Sequence, residues 1–379
     1  MRDVWRSARG REVCGERGHG VVKGGGSVVG GSIFAARLFS IVCAGCSLFV
    51  LAALSKRFLP RLHSPRIVAV AALHPFVIWC AVEIRLYAMV LLISSLLILL
   101  FYDGFLADRT SRKARIWYGV LAAVGLYTHY HTGFLLVANC GVLMFQSRWK
   151  NARKYLLNML AVGVVFSPMV FVVLNQVGDH TSEISEPWSV VIGVKHIIWQ
   201  VQHYLLPVGI KPTPLENSVS LWTWRLLPLI AILGVLWKSR GMTFWKRNSA
   251  IWLVSIGTAL FFVPLLKITG SELLSFRHTI VLFVPVLIGS FALCAAIGGN
   301  RAVGWWSCAM ICFGCSTLLQ NYHHNSKGGD WIRVANHIEN NEVAKEPVVV
   351  FIPWASISFG YHYDGQNQIV VLPQPEECE

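Results

Sequence analysis

Apolar and polar positions run along this chain in long blocks. Apolar runs lie at roughly 33–54, 67–81, 86–102, 116–128, 132–146, 155–174, 221–237, 249–266, 278–298 and 302–319. About 20 apolar residues in a helix match the hydrocarbon core of a bilayer, so the pattern predicts about ten transmembrane helices. Those at 116–128 and 132–146 are short, and only Gly298–Arg301 separates the last two. Residues 1–31 are Gly-rich and basic, and the absence of an apolar run predicts a disordered tail. The polar connection 175–220 contains Trp188–Leu206, where aromatic, apolar and polar residues interleave between Pro187 and Pro207. That mixture predicts a helix lying on the membrane surface. Residues 321–379 change character: an amphipathic helix over Trp331–Asn341 and strands over Pro347–Ile352 and Gln368–Leu372 predict a small α/β appendage.

Composition agrees with the blocks. Hydrophobic residues make up 55% of the 379 and charged residues 14%, where a soluble domain carries about 25% charged. The chain thus reads as an all-α polytopic membrane protein, 32–320, followed by the appendage. The net charge of +14 does not point to nucleic acid. The cations fall in short clusters between apolar runs, at 55–66, 106–115, 147–154 and 238–248, as they do in cytoplasmic loops. Of the 19 acidic residues, only Asp103 and Asp108 fall on that side. The extracytoplasmic side then receives the turn at Glu83, the turn at His129, the loops 175–220 and 267–277, and the C-terminus. Ten spans also place the basic tail 1–31 outside, against the positive-inside tendency. A further span upstream is the simplest repair. The ten cysteines lie mostly inside apolar runs, so Cys43/Cys46 and Cys312/Cys315 read as packing residues rather than metal ligands.

The candidate chemistry centres on residues 74–87, between the runs Ile67–Ile78 and Leu86–Leu100. Ionisable groups at membrane depth are costly and normally face a protein interior or a wet cavity. Glu83 and Arg85 are therefore the candidate catalytic residues, with His74, Trp79 and Tyr87 beside them. The alternative is an interfacial ion pair that only sets the depth of the hairpin. His129 and His131, two residues apart on a turn, are candidates for contact with substrate or a divalent metal, or else interfacial hydrogen-bonding groups. Arg277, at the outer start of a span, is either a phosphate-binding cation or an interfacial anchor.

Several of these residues resemble the motifs of GT-C-type membrane glycosyltransferases, relatives of protein O-mannosyltransferases and of the lipid A aminoarabinose transferase. His74–Trp79 leading to Glu83-x-Arg85-x-Tyr87 is similar to one family region, and Leu126-Tyr127-Thr128-His129-Tyr130 to a second. Phe276-Arg277-His278 with Pro285, Asp330-Trp331-x-Arg333-x-Ala335, and Ser32–Ser40 with Arg37 complete the set, over about residues 31–365. The resemblance implies sugar transfer from a polyprenyl-phosphate donor to an acceptor on the outer face of the cell (inner) membrane, by direct displacement at the anomeric carbon. That chemistry needs a carboxylate to take the acceptor's proton and cations, or a metal, on the departing phosphate. It implies Glu83 and Arg85 as catalytic, and His74, Tyr87, His129, His131 and Arg277 as substrate-binding. The family's acidic pair on the first outer loop has no counterpart here: Gly18–Gly31 contains no acidic residue, and Asp3, Glu12 and Glu16 sit in no matching context. The expectation is an N-terminally shortened member with feeble turnover, in which Arg85 holds Glu83 paired. Competing readings are a non-catalytic glycolipid-binding relative and a lipid-linked-sugar flippase. Internal repeats expected of transporters are not visible.

Overall fold

The computed structural model describes residues 33–83, 85–181, 190–207, 249–260, 278–321, 331–343, 345–350 and 353–371. The expectations for 1–31, 221–237, the loop 267–277 and Arg277 lie outside these residues. The chain divides into two compact units, Met1–Leu318 and Leu319–Glu379.

In the first unit, α1 is Ile33–Phe58, followed by a 3-10 turn at Arg61–His63 and by α2, Ser64–Ala72. α3 is Pro75–Val82 and α4 is Tyr87–Phe101, extended by a π-helical turn over Tyr102–Leu106. α5 is Arg112–Thr128, α6 Thr132–Phe145, α7 Trp149–Thr181 and α8 Val190–Leu205. Ser249–Leu260 forms α9, and α10 is Ile280–Asn321. Among the described residues, four helical stretches are long and apolar enough to cross a membrane: Arg37–Phe58, Tyr87–Leu106, Trp149–Val172 and Ile280–Leu319. α2 and α3 qualify together as a bent pair, while α6 and α9 are shorter apolar helices.

α10 is two spans, not one. Gly299 interrupts it with φ 60° and ψ −142°, a conformation open mainly to glycine. The indole N–H of Trp306 donates to Ser290 Oγ at 3.1 Å. Sixteen residues along a straight helix would separate them by about 24 Å, so the chain folds back at Gly299, within the expected turn 298–301.

Two expectations need correction. The run 67–81 is not one straight helix: α2 and α3 meet at a 56° bend. Pro75 causes it, because the residue before proline is pushed out of the helical region. His74 accordingly is extended, φ −77° and ψ 125°. Second, α8 does not simply lie on the surface. Tyr204, near its end, is fully buried, and its hydroxyl shares a 2.7 Å hydrogen bond with Thr279. A large apolar ring gains more by filling the core than by floating at the interface.

α5 and α7 run side by side in the same direction. Tyr118 and Tyr155 share a 2.8 Å hydrogen bond inside a cage of Phe101 and Phe105. Asn139 donates to Tyr118 at 2.9 Å, and Tyr155 donates to the Leu136 carbonyl at 2.8 Å. These buried hydroxyls thus have partners, as groups removed from water must. Gly119 permits the approach, since a Cβ there would sit 2.3 Å from Asn158 Oδ1.

In the second unit, α11 (Trp331–Asn341) and α12 (Pro353–His362) flank strands β1 (Val348–Val350) and β2 (Ile369–Val371). The strands pair in parallel, Val349 opposite Val370. Parallel neighbours need a crossover, which α12 supplies and the strand pattern alone does not reveal. Glu339 accepts from the Asp364 N–H at 2.7 Å and Glu342 from the Tyr363 hydroxyl, fixing the turn between α12 and β2.

The turn from α6 to α7 offers a test. Ser147 has φ 54°, while its N–H bonds Met144 O at 3.0 Å and the Arg148 N–H bonds Leu143 O at 2.9 Å. This is a Schellman cap with serine in the position that favours glycine. Ser147→Gly should raise the unfolding midpoint, by up to about 1 kcal/mol in stability, and Ser147→Val should lower it. Thermal unfolding of the two variants in detergent checks the order.

Candidate functional site

The basic loops meet at one end of the first unit. Arg57 pairs with Asp103 at 2.9 Å, linking the end of α1 to the π turn. Arg148 donates to Leu106 O at 2.6 Å, Gln146 to Ser249 Oγ at 2.9 Å, and Arg66 to Asn300 O at 3.3 Å. Each element leaving this end carries its far terminus away from it. The turns at Glu83–Leu86 and His129–His131, together with the start of α10 at His278, therefore lie toward the opposite end.

Glu83 ends α3, its N–H bonding Trp79 O at 3.1 Å. Ser40 of α1 donates to the Glu83 carbonyl at 2.8 Å. That serine closes the Ser32–Ser40 segment, so two of the motif regions touch. Arg85 is exposed and donates to Tyr87 Oη at 3.1 Å. Tyr87 stacks on Trp79 with centroids 4.9 Å apart and planes 21° from parallel. Among the described residues Glu83 and Arg85 form no ion pair, and the Glu83 carboxylate has no hydrogen-bond partner. The expected contact pair is not formed, although the Glu83 charge still acts on the Arg85 guanidinium. The side chains project from different positions of an extended turn, and Tyr87 takes one of the guanidinium donors.

His74 is 2% exposed. Its Nδ1 accepts from the Phe76 N–H at 3.1 Å, capping α3, and its Nε2 lies 3.1 Å from Tyr204 O. Both ring nitrogens thus serve the backbone at the bend.

His129 and His131 meet a third imidazole. Ring centroids are 4.7 Å apart between His129 and His131, 5.0 Å between His131 and His278, and 6.2 Å between His129 and His278. Tyr130 stacks on His131 at 4.4 Å. Burial, then the neighbouring His129 and His278, hold His131 well below the usual imidazole range, so it is neutral near pH 7. Sequence reasoning assigned no role to His278, although it adjoins Arg277 in the quoted motif.

A band of rings connects the two groups. His278 is followed by Thr279, which bonds Tyr204; Tyr204 lies 4.9 Å from Phe76, and Phe76 stacks on Trp79 at 5.9 Å. Phe283 fills the gap, 5.0 Å from His74 and 5.1 Å from Phe76. Aromatic pairs at these separations each add about 0.5–1.5 kcal/mol beyond area burial, so the band holds the Glu83 turn in place relative to the imidazoles. No three His, Cys, Asp or Glu side chains among the described residues are arranged to hold a metal ion.

Residues 21–171 match the family model for dolichyl-phosphate-mannose-protein mannosyltransferase. No curated protein matches the sequence. The fold is similar to a crystal structure of ArnT from Cupriavidus metallidurans in the apo state, with a TM-score of 0.53 and 14% identity, over 94% of this chain and 74% of that one. The apolar helices and this fold make the chain a multi-pass membrane protein with a GT-C-type fold, similar over residues 21–171 to the mannosyltransferase family.

Proposed function

We propose that this protein transfers a sugar from a polyprenyl-phosphate carrier to an acceptor hydroxyl on the extracytoplasmic face, with Glu83 as the base. One observation carries the assignment. Within residues 21–171 the acidic residues are Glu83, Asp103 and Asp108. Asp103 is bound to Arg57 at the basic end, and Asp108 follows it in the same loop. Glu83 is the carboxylate of this region at the imidazole end.

An acceptor alcohol is a weak nucleophile until it loses its proton. Glu83 takes that proton as the acceptor oxygen bonds to the anomeric carbon. The bond from that carbon to the carrier phosphate breaks, and polyprenyl phosphate leaves with the electron pair. Arg85 offers a planar fork of five N–H donors, one of them on Tyr87, and the others suit the phosphate oxygens. Arg277 supplies a second cation on the resemblance alone. Tyr87 holds Arg85, His74 holds the bend, and His129 and His131 line the acceptor side.

In turnover assays with polyprenyl-phosphate-linked hexose and aminopentose donors, Glu83→Gln should lower kcat by about 10²–10⁴-fold, the usual contribution of a positioned base. Arg85→Lys should lose a smaller factor, because ammonium replaces charge without the bidentate fork. A Glu83→Gln protein as fast as wild type would remove Glu83 from the chemistry. A non-catalytic lipid-linked-sugar binder would instead hold the donor and show no turnover in any version.

The imidazole cluster has its own signature. His131 has a lower pKa folded than the value of about 6.5 it has unfolded. As pH falls below about 6.5, the unfolded chain takes up the proton first. The stability due to neutral His131 is complete above that pH and lost progressively below it. His131→Asn should therefore flatten the fall in unfolding midpoint between pH 6.5 and 5 relative to wild type.

A further inference from the structure

At the basic end, the starts of α5 and α7 form a cationic surface that sugar transfer does not use. The two helices run parallel and in contact: Asn158 donates to Arg115 O at 2.7 Å, and Tyr118 bonds Tyr155. The first turn of α7 is pinned level with the loop before α5, by Arg148 on Leu106 O and by Asn151 on Phe105 O at 2.7 Å. Arg112 and Lys113 on one helix, and Lys150, Arg153 and Lys154 on the other, are all exposed. None of the five forms an ion pair among the described residues. Of the two carboxylates in the adjoining loop, Asp103 is engaged by Arg57, and Asp108 is exposed. Trp149, 62% exposed, opens α7 beside the cations.

Five like charges held side by side repel one another unless an anion lies between them. Their spread over two helix starts, with an indole at the same level, suits a ligand that is anionic at the interface and apolar below it. Exposed cations beside an interfacial tryptophan have that complementarity to lipid. We propose that the paired starts of α5 and α7 bind the phosphodiester headgroup of an anionic glycerophospholipid from the leaflet on the basic side. Trp149 packs along the upper part of its acyl chains. The site lies at the other end of the unit from Glu83, so its ligand is not the sugar donor.

The test uses the full chain in an uncharged maltoside detergent, titrated with dansyl-labelled phosphatidylglycerol and read by energy transfer from tryptophan. Saturable binding is expected, with no binding of the matching phosphatidylcholine. The triple variant Lys150→Gln, Arg153→Gln, Lys154→Gln should bind about 100-fold more weakly, each cation near an anionic surface counting for roughly fivefold. Lys345→Gln, an exposed cation of the second unit, should bind as wild type does. Raising salt from 0.05 to 0.5 M should weaken binding to the unmodified protein, a reading that needs no variant to fold. Equal affinity for phosphatidylcholine, an unchanged triple variant or salt-independent binding would each overturn the proposal. So would displacement of the lipid by inorganic phosphate or polyglutamate at matched charge, which would mark a site for free anions or acidic protein.

Discussion

A backbone that crosses lipid has no water to satisfy its polar groups, and the bend between α2 and α3 is where this chain meets that constraint. Pro75 supplies no N–H, and the extended His74 breaks the helical ladder on either side. His74 answers with its own ring, capping the Phe76 N–H and meeting the Tyr204 carbonyl. Gly314 lets the second half of α10 approach the bend, where a Cβ would come 3.1 Å from Leu73 O. A buried group without a partner costs about 1–3 kcal/mol, so this junction keeps α3, α8 and α10 together. The direction of α3, and with it the position of Glu83, follows from that junction.

The two ends of the first unit solve different electrostatic problems. At the basic end, cations are tied to carbonyls and to Asp103, while several stay at the surface. At the other end, the ionisable groups among the described residues are few and set among rings, with His131 kept neutral by burial. The neutral His131 ring lies 4.7 Å from His129 and 5.0 Å from His278, where a charged ring would meet more repulsion. Arg85 there is turned to the Tyr87 hydroxyl.

Much of this was legible in the amino-acid order. Long apolar runs, their lengths and the cation clusters between them identify a multi-pass helical protein and say which turns share an end. Each is a local property, set by the transfer free energy of a segment and the charge of its flanks. The strands at 348–350 and 369–371 and the helix at 331–341 were readable in the same way.

The bend within 67–81, the burial of Tyr204 and the joining of His278 to His129 and His131 were decided by tertiary structure alone. His74 and Tyr204 are 130 residues apart, and no periodicity within either segment says that they meet. The separation of Glu83 from Arg85 was equally hidden. Two opposite charges two residues apart suggest a contact pair in sequence, but Arg85 donates to the Tyr87 hydroxyl and feels Glu83 only as a neighbouring charge. Sequence by itself determined what each segment is, because burial and charge act along the chain. Only packing decided which segments meet, because that depends on shapes brought together from distant parts of it.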